Sequence, residues 1–101
     1  MTGVADAVVR APDARGVREL VRPPRLREGD RVRLVAPCSP VPRERLEAAA
    51  GTLRGWGLEV EQAPHVHERH PRLPYLAGLD ETRALDLQEA WCDPSVDAVF
   101  C

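Results

Sequence analysis

Two stretches gather residue types able to do chemistry. "VRLVAPCSP", residues 32–40, is an apolar run that ends in two potential nucleophiles, Cys38 and Ser39. "HVHERH" supplies His65, His67 and His70, which could act as bases or as metal ligands. On an extended segment, residues two apart face the same side, so His65 and His67 could share a metal with Glu68 or His70 completing the set. The spacing matches no zinc pattern, however, and prolines flank the segment on both sides, so we read a solvated surface loop that holds no metal.

Cys38 and Ser39 fare no better as catalysts. A nucleophile needs an adjacent base, and a serine elbow needs glycines on both sides to permit its strained turn. Ser39 lies between Cys38 and Pro40 instead. The pair reads as a strand-to-helix turn in which Ser39 helps to satisfy helix N–H groups. No catalytic residue is assigned. No glycine-rich phosphate loop is present either, because Gly55 and Gly57 precede a strand, whereas phosphate loops follow one.

The elements that must position these residues follow from periodicity. Glu28-Gly29-Asp30 reads as a turn feeding a strand, and Val32, Leu34, Val35 and Ala36 form the near-continuous apolar run of a strand covered on both faces. Leu46, Ala49, Ala50, Leu53 and Trp56 then make one stripe of an amphipathic helix, with Pro42 at its first position and Gly57 at its exit. A second strand runs from Leu58 to Gln62. Asp80 caps a second helix with the stripe Ala84, Leu87 and Trp91, and "AVFC" begins a third strand. Both tryptophans therefore read as core residues. The order β-α-β-α-β predicts an α/β fold of three layers, with right-handed crossovers laying down a parallel sheet between helices.

The totals set bounds. In 101 residues there is room for one small domain. Residues 1–24 lack periodicity and end in Pro23-Pro24, so they read as a mobile N-terminal extension, leaving 25–101 as the α/β part. Net charge is −2, and all fourteen basic residues are arginine, a composition that points to codon bias rather than phosphate binding. No bulk charge favours nucleic acid or an anionic membrane. No apolar run reaches the ~20 residues of a membrane span, and no signal-peptide core is evident, so a soluble cytoplasmic chain is expected. Cys38, Cys92 and Cys101 are odd in number and suit reduced thiols. The third strand has no following helix, so the chain is expected to be truncated, with an open sheet edge.

Three ordered blocks carry a resemblance. They are "L-x-x-G-D-x-V-x-x-V-A-P-x-S-P" from Leu26, "L-x-x-W-G-L-x-V" from Leu53, and "Y-L-A-G-x-D-x-x-R-A-x-D-L" from Tyr75 ahead of "D-P-x-V-x-A-V". Together they resemble the N-terminal part of the LD-carboxypeptidase family of serine peptidases, which includes muropeptide LD-carboxypeptidases and microcin-C self-immunity peptidases. The resemblance implies an incomplete N-terminal α/β domain similar to class I glutamine amidotransferases. It also implies hydrolysis of the amide bond between an L-residue and a terminal D-residue in murein peptides by a Ser-Glu-His triad, with no metal or organic cofactor.

None of that triad falls on this chain. Ser39 and Pro40 match the family's first-strand turn and are the candidates for lining the substrate cleft. Two departures stand out: Cys38 replaces a residue that is commonly Ser or Ala, and "HERHPRLPYLAG" is longer than the usual link. The implied partner is a murein-derived L,D-peptide. An alternative from another class is a non-enzymatic α/β module that binds a partner, or forms a homodimer, through its exposed sheet edge.

Overall fold

The computed structural model describes residues 20–101, so the expected extension over residues 1–24 lies outside the described residues as far as position 19. From Leu20 to Pro24 the chain has no regular secondary structure. Five elements follow: β1 (Arg31–Leu34), α1 (Arg43–Gly55), β2 (Glu59–Gln62), α2 (Asp80–Cys92) and β3 (Ala98–Phe100). The strands form one sheet in the order β2-β1-β3, and both pairings are parallel. Val32 sits opposite Val60 on one side and Ala98 on the other.

This strand order puts the helices on opposite faces. The first crossover moves from β1 to β2, the second returns past β1 to β3, and right-handedness sends each helix to a different side. Side chains agree with this. Leu34 and Phe100 face Leu46 and Leu53 of α1, whereas Arg33 and Glu61 lie with Glu89 and Cys92 of α2. The expected three-layer α/β fold is the one observed. Its core is centred on Val32, Leu34, Leu46, Ala50, Leu53 and Leu58, all buried.

The termini of α1 explain two of its residues. Pro42 is the cap rather than the first helical residue, and its carbonyl accepts from Arg45 and Leu46, while its missing N–H costs nothing there. At the other end Gly57 adopts φ +85°, and the bonds Gly57 N–H to Arg54 O and Leu58 N–H to Leu53 O close the helix as a left-handed glycine stop. Gly57 O then accepts from Gly29 N–H at 2.7 Å, tying the helix exit to the turn before β1.

Both tryptophans depart from expectation. Trp56 is 65% exposed and Trp91 79% exposed, and neither belongs to the core. Trp56 is the residue at which α1 ends, so the turn into Gly57 carries its ring off the apolar stripe, and Ala49 is exposed as well. On α2 the buried residues are Asp86 and Ala90, with Leu87 half-buried, so the inward face is rotated by about one residue from Ala84, Leu87 and Trp91. The cause is polar. The sheet face that α2 covers carries Arg33 and Glu61, and α2 itself turns Arg83 and Asp86 toward the body of the protein. Asp80 is the first helical residue rather than the cap, which falls on Leu79 with no side-chain cap bond. Among the described residues, no helix is long and apolar enough to cross a membrane.

Candidate crevice wall at the strand ends

The carboxyl ends of β1 and β2 open onto a small polar assembly. After β1 the chain passes through the turn Pro37-Cys38-Ser39-Pro40, and after β2 it enters the long connection 63–79. Pro37 and Pro40 have no N–H groups, so this turn is poor in donors and is held from outside through its carbonyl oxygens. Arg83 donates from Nη1 to Pro37 O at 2.9 Å and from Nε to Gly78 O at 3.1 Å, and its Nη2 pairs with Asp80. Ala77 N–H donates to Cys38 O at 2.9 Å.

Gly78 is needed at the closest approach. Its φ is +105°, and a Cβ there would meet Glu68 Cβ and Oε1 at 3.2 Å and Thr82 Oγ1 at 3.3 Å. The block "Y-L-A-G-x-D-x-x-R" is thus a physical unit that grips the block "V-A-P-x-S-P".

One turn further along α2, Asp86 does for the β2 exit what Arg83 does for the β1 exit. Its buried carboxylate accepts from His65 N–H at 2.9 Å and faces His65 Nδ1 at 2.7 Å. The Asp86 hydrogen bond, together with the nearby charges of Asp86, Glu68 and Glu89, raises the His65 pKa above its ordinary value against the opposing effect of burial.

The other histidines diverge from His65. His67 Nε2 lies 3.1 Å from Gln62 Oε1, and His70 Nδ1 accepts from the N–H groups of Arg72 and Leu73, each at 3.0 Å. Among the described residues no group of three His, Cys, Asp or Glu is placed to hold a metal ion. The expected solvated loop is in fact anchored, with Ala63, Val66 and Ala77 buried beneath it. Backbone bonds such as His70 N–H to Leu76 O hold it internally, and His65 and His67 add bonds to Asp86 and Gln62 outside it.

On the same side of the sheet, Arg33 donates from Nε to Glu61 at 2.6 Å and from Nη2 to Asp93 at 2.7 Å. Burial is the largest influence on Arg33 and opposes its charge, but Asp93 and Glu61 together outweigh it and raise its pKa. Asp93 is held down to about 2, first by the Ser95 hydroxyl, then by Ser95 N–H and then by Arg33. This network braces the exit of α2 against the sheet, away from the β1 turn.

Ser39 lies exposed on the rim of the β1 turn and Pro40 is half-buried beside it. Ser39 does not cap α1, whose N-terminus has no side-chain cap bond, because Pro40, Val41 and Pro42 carry the chain onward before the helix begins. Cys38, Cys92 and Cys101 are free and exposed. Arg83 and Asp86 are the site residues that periodicity missed. The available signal was a cation and an anion three apart inside one helix, where an apolar stripe was expected.

Residues 32–101 match the LD-carboxypeptidase N-terminal domain. A Streptomyces coelicolor protein carrying a carboxypeptidase name is 61% identical over 85 residues, covering 84% of this chain and 27% of that protein. Muramoyltetrapeptide carboxypeptidase from Oxalobacter formigenes has a similar structure, with TM-score 0.57 and 35% identity over 68% of this chain and 22% of that one. An MccF-like protein from Bacillus anthracis superposes with TM-score 0.63 and 32% identity over 73% of this chain and 22% of that one. The chain spans about a quarter of the length of the curated relatives it matches. With residues 32–101 matching the family's N-terminal domain and its α/β order matching these structures, the chain belongs to the LD-carboxypeptidase family, of which it carries the N-terminal domain.

Proposed function

We propose that this chain supplies the N-terminal α/β layer and one crevice wall of a cytoplasmic LD-carboxypeptidase acting in murein recycling. The enzyme hydrolyses the amide bond between an L-residue and a terminal D-residue of murein-derived peptides. The supporting observation is the braced β1 turn: in open α/β sheets ligands bind beyond the carboxyl ends of the strands, where this turn sits. Ser39 and Pro40 contact substrate from its rim. Three exposed free cysteines suit a reducing compartment.

Nucleophile, base and orienting carboxylate come from outside these 101 residues. Ser39 and Ser95 lack flanking glycines, and His65 bonds Asp86 of α2, His67 bonds Gln62 of β2 and His70 bonds within the 63–79 connection, none of them activating Cys38 or Ser39. The chain alone should therefore release no D-alanine from murein tetrapeptide. A chimera with residues 32–101 in place of the matching segment of the Streptomyces coelicolor relative should release it. A folded but inactive chimera overturns this function, and turnover by the chain alone that is abolished in Cys38→Ala or Ser39→Ala makes one of those residues the nucleophile.

A second function is favoured by the contrast between the sheet edges. The β2 edge bears Glu59 and Glu61, whereas β3 is the uncharged run Ala98–Phe100 beside an apolar groove of about 340 Å³ lined by Leu34, Val41, Leu46 and Phe100. A strand without charge at an edge accepts another strand. Self-association or partner binding through β3 is the corresponding non-enzymatic role, and a concentration-independent monomer in sedimentation excludes self-association.

A further inference from the structure

We infer that Arg83 is a positioning residue of the substrate cleft, tying the turn that carries Ser39 and Pro40 to the first turns of α2. The inference rests on the proposed function for the word "substrate"; the tie itself rests on geometry alone.

Three features support it. Arg83 is largely buried, with 16% of its side chain exposed, and its bonds reach the turn through the Pro37 carbonyl. Its guanidinium is spent on three different acceptors, Pro37 O, Gly78 O and Asp80, which lie on the β1 turn, the 63–79 connection and α2. Planar fork geometry is what allows one side chain to hold three directions at once, and a lysine ammonium on a flexible stem cannot reproduce it. Finally, the turn has little means of holding itself, since two of its four residues are prolines and its neighbouring carbonyls, Pro37 O and Cys38 O, are both satisfied from the same distant block. The rim on which Ser39 sits is therefore set by α2, and a small displacement at Arg83 becomes a displacement at Ser39.

A merely structural arginine would, on removal, loosen the whole domain evenly. A positioning arginine loosens the turn first. Amide hydrogen exchange of the chain separates the two. In Arg83→Ala, Ala77 N–H, which donates to Cys38 O, should exchange roughly tenfold to a hundredfold faster, the consequence of losing charge-assisted hydrogen bonds beside it. The sheet amides of Val35 and Ala63 should change far less. Arg83→Lys keeps the charge and the helix, and serves if the alanine variant does not fold; Ala77 should lose protection in it too. Equal acceleration of Ala77, Val35 and Ala63, or no change at Ala77, overturns the inference.

The functional arm uses the chimera described above and murein tetrapeptide. Arg83→Lys should raise KM about tenfold while kcat stays within about threefold, the pattern of lost ground-state binding. An unchanged KM with active wild-type chimera counts against positioning of the cleft. If the unmutated chimera releases no D-alanine, the enzymatic function falls and the exchange measurement alone decides whether Arg83 holds the turn.

Discussion

His65 meets Asp86 twice: its backbone N–H donates to Oδ2 at 2.9 Å while its ring Nδ1 lies 2.7 Å from Oδ1. One carboxylate thus fixes both the path and the ring orientation of the residue that begins the anchored histidine segment. The backbone bond does not depend on the protonation of the imidazole. The ring bond is strengthened when the imidazole is protonated, and that is the origin of the raised His65 pKa.

This coupling makes stability depend on pH with a definite sign. A histidine whose folded pKa lies above its ordinary 6.5 stabilises the fold fully below that value, and the contribution disappears as pH rises through the raised value. Glu68 and Glu89 add to the same effect. We expect the gap in urea midpoint between wild type and His65→Ala to be widest near pH about 6 and to narrow by pH about 9. A gap that stays flat or widens over that range contradicts the assignment.

Acid should reveal a second carboxylate. Asp93 titrates at about 2, so its contribution is present above 3.8 and is lost as pH falls through about 2. Because the Ser95 hydroxyl and the Arg33 guanidinium both hold it down, Ser95→Ala and Arg33→Met should each raise the Asp93 titration midpoint. Carboxyl chemical shifts followed by NMR from neutral pH into strong acid give both midpoints. An unchanged midpoint in either variant would remove that partner from the account.

Gly57 and Gly29 provide a matched pair for backbone strain. Both have positive φ, +85° and +89°, but a Cβ on Gly57 would lie 2.3 Å from Glu28 Cγ, whereas one on Gly29 meets nothing within 4 Å. Gly29→Ala should cost about 1–2 kcal/mol from the left-handed backbone alone. Gly57→Ala should cost more, and Glu28→Ala in the same chain should bring the cost back toward the Gly29→Ala value. Urea denaturation of the three variants beside wild type measures this, and equal losses at the two glycines without Glu28→Ala would show that the contact is relieved at no cost.

Much of this protein was legible before any coordinates. Two period-3.6 stripes, one alternating segment and two short apolar runs placed the five elements to within one or two residues, and Gly57 marked the helix exit because a helix closed in this way needs a positive φ that glycine supplies without strain. The three blocks also led to the family, since each preserves a local geometry: a turn into a strand, a helix stop, and a helix start.

Only the tertiary structure decided what lies inside α2. Periodicity assumes that a helix buries its apolar stripe, and on that assumption Trp91 belonged in the core; α2 instead packs on a sheet face bearing Arg33 and Glu61, and Trp91 stays in solvent. Arg83 reaches Pro37 across 46 residues and Asp86 reaches His65 across 21, and no local rule relates positions so far apart. A sequence records that a cation and an anion are present and how they are spaced. Which carbonyl or imidazole each one meets is fixed by the sheet order β2-β1-β3, because that order sends the second crossover over the ends of β1 and β2 and leaves their unpaired polar groups to be satisfied by α2.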